Sequence, residues 1–121
     1  MVLDTNIIIA YLNGDEGVIR AVRNWFTEGI GLFISAVTYA EVLALREASE
    51  SDVGHMREFL NLFVVIPVDR AIAEDIAAIK RTQKLKFPDA AIVATARYTA
   101  STLVTRDKRL HKVEGITVIS L

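Results

Sequence analysis

Val2-Leu3-Asp4-Thr5-Asn6 sets two apolar residues directly against an acid and two small polar side chains. Val2-Leu3 reads as a short buried strand, and Thr5 onward fits a short helix ending near Asn13-Gly14. Working outward, a helix over about 16–27 carries Val18, Val22, Trp25 and Phe26 at helical spacing. Gly29 and Gly31 break it, and Leu32-Phe33-Ile34 forms a second strand. Ser35 suits the N-cap of a helix over about 36–48. Another helix starts at Ser51-Asp52, with Met56, Phe59, Leu60 and Phe63 turned inward. Val64-Val65-Ile66 is a third strand, ended by Pro67, and Asp69 caps a helix bearing Ile72, Ile76 and Ile79. Pro88 sits where proline is tolerated, in the first turn of a helix over about 88–100. Leu103-Val104 and Ile116-Thr117-Val118-Ile119 are the fourth and fifth strands.

Strands that alternate with helices imply right-handed crossovers. The expected fold is a three-layer α/β/α sandwich around a mainly parallel five-stranded sheet, as one domain over residues 1–121. In such sheets the working residues stand at the carboxyl ends of strands, near the point where strand order reverses.

The composition limits the chemistry. There is no cysteine and there are only two histidines, His55 and His111. Disulfides, thiolate-bound zinc, iron–sulfur clusters and a cysteine nucleophile are excluded, and a His-rich metal site is implausible. Hydrophobic residues make up 52% and charged residues 24%, a globular balance. Mean hydropathy is +0.35, yet runs such as Ile7 to Leu12 and Leu62 to Val68 fall far short of the ~18 residues that span a bilayer. A secretory signal is not expected, because Asp4 interrupts the first apolar stretch and no basic region precedes it. A cytoplasmic protein without membrane contact is the expectation.

Charge is unevenly placed. Residues 1–79 hold 5 basic and 12 acidic residues, whereas residues 80–121 hold 9 basic and 3 acidic. Lys80, Arg81, Lys84 and Lys86 form one basic group, and Arg106, Lys108, Arg109 and Lys112 another. Such a segment suits a polyanion such as nucleic acid, or a solvated helix face with a basic turn.

Four carboxylates stand at informative positions. Asp4 and Asp107 fall just past the first and fourth strands. Glu41 shares a helical stripe with Val37 and Leu45, and Asp89 shares one with Ile92, Val93 and Ala96. Each has an ordinary alternative: a helix cap at Asp4, a first-turn acid at Asp89, a turn opener at Asp107, a solvent-facing side chain at Glu41. A carboxylate on an apolar stripe is costly unless it is paired or metal-bound. Clustered carboxylates without thiols specify a hard cation, Mg²⁺ or Mn²⁺. The chemistry that needs it is phosphoester hydrolysis, with one or two ions activating water and neutralising phosphate charge. The basic residues would then hold flanking backbone phosphates.

Leu3-Asp4-Thr5-Asn6, Ala40-Glu41-Val42, Pro88-Asp89-Ala90-Ala91-Ile92-Val93-Ala94-Thr95-Ala96 and Val104-Thr105-Arg106-Asp107-Lys108 follow one another in a chain of 121 residues. In that order they closely resemble the PIN-domain nucleases, and among small single-domain members the VapC-type toxins of toxin–antitoxin pairs. The resemblance implies a metal-dependent endoribonuclease. It also implies Mg²⁺ or Mn²⁺ held by Asp4, Glu41, Asp89 and Asp107, with Thr5, Asn6 and Thr105 in support, a homodimer and a cognate antitoxin.

Other readings lose on particular residues. A haloacid-dehalogenase-like phosphatase carries a second Asp two residues after the first, where this chain has Asn6. Gly29-Ile30-Gly31 precedes a strand and lacks the third glycine of a dinucleotide fingerprint. No Walker motif or nucleophile elbow is present. A PIN-like domain that binds RNA or metal without cleaving is the non-enzyme alternative, and a small phosphatase the other. Trp25, Phe26 and Tyr39 either join the core or line a groove for a partner helix.

Overall fold

The computed structural model of residues 1–121 alternates short strands with helices: β1 (Val2–Leu3), α1 (Thr5–Leu12), α2 (Glu16–Thr27), β2 (Phe33–Ser35), α3 (Ala36–Leu43), α4 (Glu50–Leu60), β3 (Val64–Ile66), α5 (Arg70–Thr82), α6 (Phe87–Tyr98), β4 (Leu103–Val104), a 3-10 turn over Lys108–Lys112, and β5 (Val118–Ile119). Every strand pairing is parallel, in the order β3-β2-β1-β4-β5. The chain moves out from β1 to β2 and β3, then returns to the far side of β1 with β4 and β5. Strand order therefore reverses between β1 and β4, and that crevice is where open parallel sheets place their sites.

The period-two alternation of a strand sends neighbouring side chains to opposite faces. Val2 and Leu103 enter a core shared with Ile72, Ile76 and Ile79 of α5 and the alanines of α6. Leu3, Ile34 and Val104 enter a second core with Ile7 and Ile8 of α1, Val18 and Val22 of α2, Val42 of α3 and Leu60 of α4. A two-residue strand thus feeds both layers, and apolar residues dominate strands covered on both faces. The sheet is buried between helices, as expected.

Several boundaries differ from the sequence reading, each for a local reason. The third helix stops at Leu43 instead of running to residue 48. A capping box ends the ambiguity: Ser49 Oγ accepts from the Asp52 amide at 3.1 Å, and Asp52 Oδ2 accepts from the Ser49 amide at 3.0 Å. The fourth helix accordingly starts at Glu50, with Ser49 as its cap, before the expected Ser51. Leu45 lies beyond α3 and is 41% exposed, so the stripe from Val37 through Glu41 to Leu45 does not form. The second strand is shifted to Phe33–Ser35, and Ser35 closes the strand while its hydroxyl caps α3 through the Val37 amide at 3.1 Å. The fifth strand pairs only over Val118–Ile119. No helix is long and apolar enough to cross a membrane.

Candidate active site

The register of β1 against β4 builds the centre. Leu3 pairs with Val104, and the Asp4 amide donates to the Val104 carbonyl at 3.0 Å. The next residue on each strand is then Asp4 and Thr105, and Thr105 Oγ1 donates to Asp4 Oδ2 at 2.6 Å. Asp4 also caps α1: its Oδ1 accepts from the Thr5 amide at 2.7 Å, and its Oδ2 accepts from Asn6 Nδ2 at 3.2 Å. The helix-cap alternative is met at this residue, and it does not exclude a place in a site. Asp4 is only 5% exposed, and Thr105 is fully buried.

Thr105 ties in a second acid, Asp107. Its hydroxyl oxygen accepts from Asn6 Nδ2 at 3.2 Å and from the Asp107 amide at 2.9 Å. Asp107 opens the 3-10 turn, its Oδ1 accepting from the Arg109 amide at 3.0 Å. Asp89 stands in the first turn of α6, where the helix dipole favours a negative charge. Glu41 arrives from α3: its Oε1 lies 2.8 Å from Thr5 Oγ1, which is also 3.0 Å from Thr38 Oγ1.

Electrostatics bind Asp4, Asp89 and Asp107 into one set. Burial pushes the Asp4 carboxyl up from its ordinary value; the bonds from Thr105 and Thr5 pull it back, and the charges of Asp89 and Asp107 push it further up. Burial also raises Asp89, helped by the Asp107 charge and opposed by Arg109 and Lys86. Asp107 is held low, chiefly by the Arg109 guanidinium on its carboxylate. Arg109 Nη2 lies 2.6 Å from Asp107 Oδ2 and 3.4 Å from Asp89 Oδ2, so one guanidinium spans two of the acids.

The four carboxylates lie toward the carboxyl end of the sheet without closing into a tight cluster, and no three acidic or histidine side chains gather closely enough to hold an ion by themselves. The donor set still fits a hard divalent cation, because every group is an oxygen: the carboxylates, the Thr5 and Thr105 hydroxyls and the Asn6 amide. Arg109 would have to give way. Its side chain is 62% exposed, so solvent screens the pair that holds it.

Thr38 is the residue that sequence reasoning missed. It is fully buried and shares its hydroxyl with Thr5. Its place three residues before Glu41, hence on the same helix face, was the available signal. No buried side-chain oxygen or nitrogen in the molecule is left without a partner.

The basic residues divide. Lys80 is committed internally, its Nζ donating to the Leu85 carbonyl at 2.7 Å. Arg106 pairs with Asp15 at 2.7 Å and donates from Nε to the Leu121 carbonyl at 3.0 Å. Arg109 is spent on the acids. Arg81, Lys84, Lys86, Lys108 and Lys112 face solvent. Of the aromatic residues, Trp25 and Tyr39 pack against the second core, and Phe26, 37% exposed, tilts onto Phe63 at 5.4 Å.

The family model of the PIN domain matches residues 1–116. The chain belongs to the PIN-domain family. PIN domains are in general nucleases, and this one carries an acidic centre where its sheet reverses order. Among solved structures, this PIN domain is similar to a chain of a toxin–antitoxin complex from Klebsiella pneumoniae, with 31% identity, a TM-score of 0.83 and coverage of 98% of this chain and 94% of that one. It is 26% identical to a chain of FitAcB from Neisseria gonorrhoeae, with a TM-score of 0.77 over 98% of this chain and 95% of that one. A chain of VapBC2 from Rickettsia felis, bound to a DNA fragment from their promoter, shares the fold at a TM-score of 0.84 with 16% identity, over 99% and 97% of the two chains. The fold of this PIN domain is therefore that of VapC-type members. No sequence among the curated proteins matches it.

Proposed function

We propose that this PIN domain is a metal-dependent endoribonuclease and the toxin of a toxin–antitoxin pair. The observation that carries the reading is the Asp4–Thr105–Asp107 chain of hydrogen bonds at the reversal point of the sheet, with Asp89 in electrostatic reach. Asp4, Asp89, Asp107 and Glu41 would hold Mg²⁺ or Mn²⁺. A bound ion of this kind supplies charge neutralisation at a phosphate and makes a nearby water more acidic.

The chain's own residues do the rest. Thr105 and the Thr5 amide fix both oxygens of Asp4, so the carboxylate is pre-oriented. Asn6 spans Asp4 and Thr105 through Nδ2 and accepts from the Arg106 amide through Oδ1 at 3.3 Å, holding the loop after β4 against α1. Thr5 orients Glu41. Exposed lysines around the edge would hold RNA backbone phosphates. The toxin role rests on the likeness to a chain of a toxin–antitoxin complex. A cognate antitoxin, a homodimer and a cytoplasmic setting belong to the same proposal.

One observation favours the non-catalytic alternative: Arg109 bridges Asp89 and Asp107. The experiment that separates the two is cleavage of RNA by the purified chain in Mg²⁺ or Mn²⁺ and in chelator. Wild type is expected to cut RNA internally with either metal, to stop in chelator, and to leave a small phosphomonoester intact. Asp4→Asn, Asp89→Asn and Asp107→Asn should each fall to background, because residues that act as a unit lose nearly all activity singly. Cleavage that survives chelation, or a variant at wild-type rate, sinks the reading.

A further inference from the structure

The segment Gln83-Lys84-Leu85-Lys86-Phe87 leads directly into Asp89. Between α5 and α6 the backbone is extended at Gln83, with φ −137 and ψ 150, and at Lys86, with φ −68 and ψ 159. Extended backbone alternates its side chains. Leu85 is 8% exposed and enters the core shared by α5 and α6, while Lys84 and Lys86 face solvent. Lys80 reaches over from α5 and holds the Leu85 carbonyl at 2.7 Å. The segment is thus anchored from inside and presents two cations outward.

Phe87 follows as the first residue of α6 and is 53% exposed. Its ring joins neither core and takes part in none of the aromatic pairs. Pro88 restrains the backbone beside it. Two residues on stands Asp89, and the Lys86 charge already reaches that carboxylate. An exposed ring preceded by two exposed cations, two residues before Asp89, combines the two features of single-strand binding: an aromatic face for a base and positive charge for the backbone.

We propose that Phe87 is a stacking platform for a base of single-stranded RNA, with Lys84 and Lys86 holding backbone phosphates of the same strand. The inference rests on the nuclease reading and deepens it, naming the residues of this chain that hold the substrate strand. Bases of a duplex are stacked on one another and offer no face to the ring.

The test uses a short, unstructured, dye-labelled oligoribonucleotide in chelator, where binding is read without cleavage. Phe87→Ala should weaken binding roughly 5- to 150-fold, the loss of one base–aromatic stack. Phe87→Trp should keep the affinity, and its fluorescence should be quenched by RNA beyond any change of Trp25 in wild type. A duplex of the same sequence should bind both variants as it binds wild type. Phe87 is 53% exposed and belongs to neither buried cluster, so melting temperatures should change little; if the alanine variant fails to fold, the tryptophan signal decides. Wild-type affinity for single strands in Phe87→Ala, or an unquenched tryptophan, overturns the platform while leaving the nuclease reading intact. Unchanged RNA affinity with a lower mass by light scattering would make Phe87 a contact between two copies instead. Failure of wild type to bind any RNA even with Mn²⁺ present removes the nuclease reading itself.

Discussion

Thr105 is the most committed side chain in the centre. Its hydroxyl gives its one proton to Asp4 and accepts from Asn6 and from the Asp107 amide. Thr105→Val keeps the shape and removes all three bonds. It should cost about 1–3 kcal/mol in urea denaturation, the penalty of leaving buried polar groups unpaired. Thr105→Ser should recover most of that loss, and an unperturbed Thr105→Val midpoint would mean that the hydroxyl is not needed for the fold. The same wiring makes Asp4→Asn an unclean probe of charge: an amide must place its NH₂ against either the Thr5 amide or a Thr105 oxygen that already accepts twice. Asp89 is the better probe. A carboxyl raised in the folded state favours folding while protonated, and that contribution is complete below its ordinary value of 3.8 and lost as pH rises through the folded value. Asp89→Asn cannot ionise. In chelator it should melt above wild type at about pH 7, and the gap should close toward about pH 3. Melts that differ equally at both ends of the range would show that Asp89 acts through packing and not through charge.

The elements place these residues by burying small side chains deeply. Seven consecutive residues of α6, Ala90 to Ala96, are buried. The helix packs on α5, α3, β1 and β2 at once. Alanine at positions 90, 91, 94 and 96 lets it approach so closely, which brings Asp89 to the β1 end. Ala94→Leu adds volume where none is free and should destabilise by about 1–3 kcal/mol. Ala73→Leu, on the exposed side of α5, should stay within about 0.5 kcal/mol. Equal effects in the two would contradict the burial of α6, and calorimetric melts compare them directly. Both the α6 stripe and the strand ends were legible in the chain, since Pro88-Asp89 opens an apolar helix and Asp4 and Asp107 follow apolar pairs. The end of α3 was not, because Leu45 continues the helical spacing and only the tertiary course of the chain leaves it without a core.

At the scale of the molecule, several cations of the basic segment 80–121 stand close in sequence to Asp89 and Asp107. Lys84 and Lys86 stand before Asp89, and Arg106, Lys108 and Arg109 stand on either side of Asp107. A cation at a backbone phosphate releases counterions, so Lys108→Ala should reduce the log–log salt slope of single-stranded RNA binding by about 0.7. Arg106→Ala should reduce it less, because Asp15 already neutralises that guanidinium. Equal slopes for wild type and Lys108→Ala would assign these charges to solvation alone.

The sequence by itself determined the alternation of strands and helices, the parallel sheet, the absence of thiol donors and the positions of the four acids along the chain. Those follow from local periodicity, from caps and from the absence of thiols, and all are properties of neighbouring residues. Only the tertiary structure decided what the acids do to one another. The β1–β4 register set Thr105 beside Asp4 across 101 positions of sequence, and the turn after Asp107 carried Arg109 to both Asp107 and Asp89. It also gave Lys80, Arg106 and Arg109 partners within the chain and left Arg81, Lys84, Lys86, Lys108 and Lys112 facing solvent. Charge and spacing show which side chains can pair; which of them do is set by distances that arise when the sheet closes.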